Sequence, residues 1–211
     1  MNDSLLTISG AQIADLIRRG KTTSREAVEV HIEKIMKVNP VINAVVKDRF
    51  EEARKEADAA DRKRKSSAGK NLPPYHGVPC TIKEAYALKG MPHTSGLVSR
   101  KNIVAQEDAT AVARLRKAGA IPLGVTNVPE LCMWFETYNK IYGRSNNPYN
   151  RRRIVGGSSG GEGAIVGAGG SPFGLGSDIG GSIRMPAFFN GVFGHKPTGG
   201  LVPGTGHYPV A

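Results

Sequence analysis

Apolar positions in the first part of the chain recur with the period of α-helices. The first helix is predicted to follow a capping box formed by Ser9 and Gln12 and to stop at Gly20. A second capping box, formed by Thr23 and Glu26, begins a longer helix. The buried face of this second helix is predicted to consist of Val28, Ile32, Ile35 and Met36.

The pattern changes at Pro40, where we expect the second helix to end because proline cannot continue an α-helix. The apolar run VINAVV, residues 41–46, favours a short strand. Residues 50–64 are rich in Ala, Glu and Lys and predict an exposed helix, and residues 66–74 predict a loop.

From His76 onward the pattern becomes that of an α/β protein. HGVPCTIKEA predicts a short strand that carries Lys83. Asp108 is predicted to cap a helix that ends at Gly119, and residues 120–126 to form a buried strand. Helix followed by strand is typical of the α/β class, and no internal repeat or linker is evident. We therefore expect one domain, with a helical region at 1–70 and a catalytic core at 75–211.

Composition and charge narrow the choice of function. An apolar fraction of 39% and a charged fraction of 22% in 211 residues are those of a globular chain. The net charge of +11 would suit an anionic partner, but the basic residues are scattered. The densest runs, Arg151–Arg153 beside Arg144 and Arg62–Lys65, lack interleaved aromatics and a nucleic-acid motif. We expect solvated surface there and no nucleic-acid partner.

Two further features bear on location. Cys80 and Cys132 are too few and too far apart for a disulfide framework or a metal motif, so reduced thiols are expected. The chain shows no secretory signal at its N-terminus and no apolar run long enough to cross a membrane. These features predict an intracellular protein, cytoplasmic or peripherally associated with a membrane.

The segment GGSSGGEGAIVGAGG, starting at Gly156, has the most unusual composition. Of the 27 glycines, 13 fall between Gly156 and Gly191. A flexible linker would be polar throughout, whereas apolar residues are interspersed here. A phosphate loop needs a lysine or an acidic partner at fixed spacing, and neither is clearly placed. Close backbone packing without chemistry remains an alternative for this segment taken alone.

A second stretch, GSDIGGSIRMP at residues 176–186, favours catalysis. Paired glycines let successive N–H groups point into one hollow, which could hold the negative oxygen of a tetrahedral intermediate. Ser182 directly follows the paired glycines, 24 residues after Ser158. A serine in that position could attack the carbonyl whose oxygen the hollow binds.

A serine nucleophile needs a base, and none of the five histidines lies in a recognisable triad context. A lysine can replace histidine if burial keeps it neutral at working pH. Lys83 fits best, because it follows the apolar run from Val78 to Ile82, whereas most other lysines lie on charged helix faces.

The stretch GGSSGGEGAIVGAGGSPFGLGSDIGGSIRMPAFFNGVFGHKPT resembles the signature of the amidase signature family, and HGVPCTIKEAYALKGMPHTSG resembles its lysine-bearing segment. The resemblance runs from about Leu5 to the end of the chain. ELCMW, YGRSNNPY and DIGGSIRMPAFFNG are most similar to the fatty-acid amide hydrolases of the second type. The resemblance to the family implies an α/β fold with a central mixed sheet flanked by helices.

The resemblance also implies roles for individual residues. Ser182 corresponds to the nucleophile, Ser158 to a bridging serine with a cis peptide, and Lys83 to the general base. Oxyanion-hole amides are expected from Ile179, Gly180, Gly181 and Ser182. Supporting positions are expected at Ser159, Asp178 and Arg184, with the Asp178 carboxylate holding the loop. A substrate-lining loop is expected at Cys132, Met133, Trp134 and Phe135, for which ordinary core packing is the alternative.

The activity implied is cleavage of acyl amides, most of all fatty-acid amides, to a carboxylic acid and an amine or ammonia. The substrate would be a small acyl amide, no metal or organic cofactor is expected, and a homodimer and peripheral membrane contact are compatible with the family. A broad-specificity or amidotransferase-type amidase is the rival. Family members are much longer, so we also expect a domain truncated at its C-terminus, and a non-catalytic fragment is a third alternative.

Overall fold

A computed structural model describes residues 3–209 of the chain. Six α-helices and six strands are assigned in this range. The helices are α1 Gly10–Arg18, α2 Ser24–Ile42, α3 Phe50–Ser66, α4 Thr110–Lys117, α5 Gly160–Gly167 and α6 Arg184–Phe189. The strands are β1 Val45–Asp48, β2 Pro79–Lys83, β3 Ile121–Thr126, β4 Tyr138–Asn139, β5 Gly143–Arg144 and β6 Gly174–Leu175. Short 3₁₀ helices cover Asp3–Leu6, Val98–Arg100 and Glu130–Cys132.

The central sheet is mixed, as predicted. Its strand order is β1-β3-β2-β6, with β1 antiparallel to β3 and β2 parallel to both of its neighbours. All residues of β2 and β3 are buried, which fits their near-continuous apolar sequences. One apolar cluster joins β1 and β3 to α2, α3 and α5, and a second joins β2 to α4 and to the segment 86–109. The α/β class with a mixed sheet flanked by helices is therefore confirmed.

The predicted starts of α1 and α2 are confirmed, because each has the expected side-chain cap. The Ser9 hydroxyl accepts from the Gln12 amide at 3.3 Å, and the Gln12 side chain accepts from the Ser9 amide at 2.8 Å. The Thr23 hydroxyl accepts from the Glu26 amide at 3.0 Å. Both helices thus satisfy exposed N–H groups of their first turns.

The second helix departs from the prediction in two places. It runs past Pro40 to Ile42 and ends at Asn43, whose φ of 47° is left-handed. Proline in the last turn removes only one hydrogen bond, so the αL residue sets the end of the helix instead. The strand predicted at 41–46 accordingly starts late, at Val45. Met36 is 60% exposed, so it does not belong to the buried face.

Asp108 does not cap α4, contrary to the prediction. Its carboxylate accepts from the Lys89 amide at 2.8 Å and from the Arg116 guanidinium at 2.9 Å. These partners outcompete the local cap, and α4 begins at Thr110 without a side-chain cap. The end at Gly119 is confirmed: its φ is +97°, and an added Cβ would lie 2.7 Å from the His76 backbone.

Over residues 3–209, no helix combines the length and the apolar character needed to cross a membrane.

Candidate active site

Lys83 lies at the carboxyl end of β2, inside the sheet. Its side chain is fully buried. The Nζ atom is 2.6 Å from Ser158 Oγ and 2.9 Å from Ser177 Oγ. The predicted base and the predicted bridging serine are therefore in direct contact, although 75 residues separate them in the chain.

Burial is the main influence on this lysine, and it lowers the pKa of the Lys83 amine because a charged ammonium is poorly solvated there. The thiol of Cys132 and the carboxylates of Glu162 and Asp178 act in the opposite direction without reversing the shift. A neutral amine has a lone pair and can accept a proton, which an ammonium cannot.

Ser158 is buried at the turn that leads into α5, and the peptide bond between Gly157 and Ser158 is cis. The preceding glycine is required for close packing, because a Cβ at Gly157 would lie 2.5 Å from the carbonyl oxygen of Trp134. The backbone of the predicted substrate loop therefore packs against Gly157, the residue that precedes the predicted bridging serine.

Ser159 holds two parts of the site together. Its amide donates to the Ser182 carbonyl at 3.1 Å. Its hydroxyl donates to the Ser177 carbonyl at 3.2 Å and accepts from the Ser177 amide at 3.3 Å. These contacts hold the loop 177–182 against the start of α5.

The Asp178 carboxylate organises the loop that carries the predicted nucleophile. Its side chain is fully buried, and it accepts from the amides of Gly181 at 2.7 Å and Ile183 at 3.0 Å. The Arg184 amide and guanidinium donate to it as well, at 2.9–3.2 Å. Burial alone would raise the pKa of Asp178, but these hydrogen bonds outweigh burial and hold the pKa far below its usual value.

The predicted oxyanion-hole amides differ in whether they already donate a hydrogen bond within the protein. The Gly181 amide is already bonded to Asp178. Among the described residues, no acceptor is in hydrogen-bonding position to the amides of Ile179, Gly180 or Ser182. The Ile179 side chain is 77% exposed, so this part of the loop faces solvent. Ser182 itself is half-buried, and no hydrogen bond links its hydroxyl to that of Ser158.

The predicted substrate loop does not pack into the core. Met133, Trp134 and Phe135 are 76%, 66% and 60% exposed, respectively, whereas Cys132 is half-buried. The core-packing alternative is therefore wrong for the three larger residues. An exposed apolar surface of this kind is suited to binding an apolar ligand.

Three polar residues at the site escaped the sequence-based prediction. Ser177 contacts Lys83, and His207 contacts Ser177 at 2.9 Å. Glu162 is buried on α5 and accepts from the hydroxyls of Thr81 and Thr126 at 2.6 and 2.7 Å. Burial raises the pKa of Glu162 to about 7, although those two hydrogen bonds oppose the shift.

The sequence carried a signal for two of these three residues. Ser177 adjoins Asp178 in the stretch GSDIGGSIRMP, and Glu162 is an isolated charge in an otherwise small and apolar run. His207 has no such signal, because the fold alone brings it beside Ser177. Within residues 3–209, His, Cys, Asp and Glu do not form a group of three suited to hold a metal ion.

A buried lysine amine thus contacts a serine hydroxyl beside a loop that carries unbonded amides and a second serine, and these are the groups that a serine hydrolase with a lysine base would need. The family model for Amidase matches residues 26–211, and the chain belongs to this family.

The relatives are amide hydrolases. The chain is 56% identical to human fatty-acid amide hydrolase 2 over 216 aligned residues, which cover all of this chain and 41% of the relative. It is 44% identical to indoleacetamide hydrolase of Bradyrhizobium diazoefficiens, covering 92% of this chain and 37% of that protein. The structure of a peptide amidase from Stenotrophomonas maltophilia superposes with a TM-score of 0.89 at 30% identity, covering 96% of this chain and 42% of that one. The chain thus spans about two fifths of the length of these relatives.

Proposed function

We propose that this chain hydrolyses acyl amides, and fatty-acid amides in particular, through Ser182, Ser158 and Lys83. The observation that carries the proposal is the 2.6 Å hydrogen bond between the buried Lys83 amine and the Ser158 hydroxyl. A lysine whose pKa is lowered by burial can act as a base where an exposed lysine cannot.

In the proposed mechanism, neutral Lys83 takes a proton from Ser158, and Ser158 takes one from Ser182. The Ser182 oxygen then attacks the amide carbonyl. The resulting oxyanion is bound by the amides of Ile179, Gly180 and Ser182, which are available in the free site. Gly181 is left out of this set because its amide is bonded to Asp178.

Collapse of the tetrahedral intermediate expels the amine, which is a poor leaving group unless it is protonated. The proton held by Lys83 returns through Ser158 to the leaving nitrogen. Water then attacks the acyl-enzyme on Ser182, and the same relay removes its proton. The acid is released and both serines regain their hydroxyl protons.

The apolar surface formed by Met133, Trp134 and Phe135 supports an apolar acyl group as substrate, because it faces solvent and its backbone packs against Gly157, next to Ser158. The resemblance to human fatty-acid amide hydrolase 2 points the same way. A short-chain or broad-specificity amidase would gain little from this surface.

The proposal is tested by the hydrolysis of oleamide and propionamide by the purified chain and its Ser182→Ala variant. We expect oleamide to be the better substrate, and both activities to disappear in the variant. Preference for propionamide would refute the lipid substrate. Equal ammonia release by the variant would refute the mechanism, and a folded but inactive chain would identify it as non-catalytic on its own.

A further inference from the structure

The Ser177 hydroxyl lies between two basic nitrogens. Lys83 Nζ is 2.9 Å from Ser177 Oγ on one side, and His207 Nε2 is 2.9 Å from the same oxygen on the other. Because a hydroxyl has one proton, Ser177 can donate to only one of these nitrogens. The protonation of His207 therefore determines whether Ser177 presents its proton or its lone pairs to Lys83.

The other ring nitrogen of His207 determines that state. His207 Nδ1 is 2.8 Å from the Pro209 carbonyl oxygen, which can only accept. Nδ1 must carry a proton, and in a neutral ring Nε2 is then an acceptor. Burial lowers the pKa of His207 to about 4, so the ring is neutral at physiological pH.

The imidazole is held firmly. The Tyr86 ring packs edge-on against it, with centroids 4.6 Å apart and planes at 73°. The Tyr208 amide donates to the Ala85 carbonyl at 2.9 Å, which ties the segment around His207 to the residues that follow β2. The ring thus has a fixed orientation relative to Lys83.

From this arrangement we propose that His207 is a positioning residue for the catalytic lysine. Its Nε2 accepts the Ser177 proton, so the Ser177 oxygen presents lone pairs to Lys83 and accepts an N–H from it. The Lys83 lone pair is then left for the Ser158 proton. Without His207, the Ser177 hydroxyl can rotate, donate to Lys83 and compete with Ser158 for that lone pair.

This inference rests on the proposed function, and His207 acts through Ser177 without touching the substrate. Glutamine at 207 keeps an acceptor oxygen, whereas leucine removes it. We therefore expect His207→Leu to slow the reaction of Ser182 with a fluorophosphonate on the order of tenfold, a fraction of what a general base contributes. His207→Gln should stay close to the wild-type rate, and His195→Leu, which changes an exposed histidine, serves as the control.

A double-mutant cycle separates positioning from general structural damage. If His207 acts only through Ser177, adding His207→Leu to Ser177→Ala should slow the reaction no further. Oleamide kinetics should show the loss in kcat, with KM unchanged, and the melting temperatures of His207→Leu and His207→Gln should match. Additive losses in the double variant, or a His207→Gln variant as slow as His207→Leu, would overturn the inference.

The ring tautomer tests the inference independently of activity. Long-range ¹H–¹⁵N NMR of the wild-type chain should show His207 protonated at Nδ1 and unprotonated at Nε2. A ring protonated at Nε2 in a chain whose Ser182 reacts would refute the positioning role alone. A chain whose Ser182 does not react, whatever the tautomer, would refute the proposed function and the positioning role with it.

Discussion

Replacement of Lys83 by methionine separates a catalytic base from a structural lysine. The side chain is fully buried and hydrogen-bonded to Ser158 and Ser177, and methionine has a similar length without the amine. Loss of a general base costs about 10²–10⁴-fold in rate, so turnover should fall by that amount. The two hydroxyls lose one partner each, at a cost of about 1–3 kcal/mol per group left unsatisfied.

The pH dependence of stability should change in a definite direction. Burial lowers the pKa of Lys83 in the folded state below its ordinary value of 10.5. Between these two values the unfolded chain binds a proton that the folded chain does not, so stability falls as pH falls from 10.5 towards the folded pKa. One such proton changes the free energy of unfolding by about 1.4 kcal/mol per pH unit. Methionine at this position should abolish this dependence of the free energy of unfolding on pH. Because methionine does not have to lose a proton on folding, its gain at neutral pH should offset the cost of the lost hydrogen bonds.

The assay is urea denaturation of wild type and Lys83→Met at several pH values between 7 and 10, together with oleamide hydrolysis. Lys101→Met, which changes an exposed lysine, serves as the matched control and should behave as wild type. Near-normal turnover of Lys83→Met would show that the base is elsewhere. An unchanged pH slope in the variant would show that Lys83 is protonated in the folded chain.

Three further changes test other parts of the site. Gly157→Ala brings a Cβ to 2.5 Å from the Trp134 carbonyl and should cost about 1–3 kcal/mol of stability, seen as a lower urea midpoint; Gly199→Ala, where a Cβ meets nothing within 4 Å, should cost none. Asp178→Asn should lower both stability and Ser182 labelling, because the anion that gathers the loop amides is lost, and Asp48→Asn should not. In the wild type, the Asp178 carboxylate contributes to folding stability above its unfolded pKa, and this contribution is lost as pH falls through its folded pKa. The unfolding curves of wild type and Asp178→Asn should therefore converge in acid. Trp134→Ala should raise KM for oleamide and leave propionamide unaffected; equal effects on both amides would contradict an acyl-binding role.

The buried position of Lys83 was predictable from its local pattern, whereas its pairing with Ser158 was expected only from the family resemblance. A lysine at the end of a largely apolar strand is expected to be buried with that strand. Two serines among glycines and apolar residues indicate a turn packed closely against its neighbours.

Other features were beyond prediction because they depend on partners distant in the chain. Asp108 has the sequence of a helix cap, but Arg116 and the Lys89 amide take its carboxylate. Pro40 has the sequence of a helix end, but the left-handed Asn43 determines the end. His207 reaches Ser177 only because the chain returns to the residues after β2, which no local pattern indicates.

The most direct test of the central claim is the labelling of the folded, purified chain with a fluorophosphonate, followed by mass-spectrometric mapping of the modified peptide. Ser66→Ala, at an exposed serine, serves as the control for substitution itself. The proposed site predicts one modification, on Ser182, that is lost in Ser182→Ala and strongly slowed in Lys83→Met. A folded chain that takes no label, or takes it on another serine, would contradict the account.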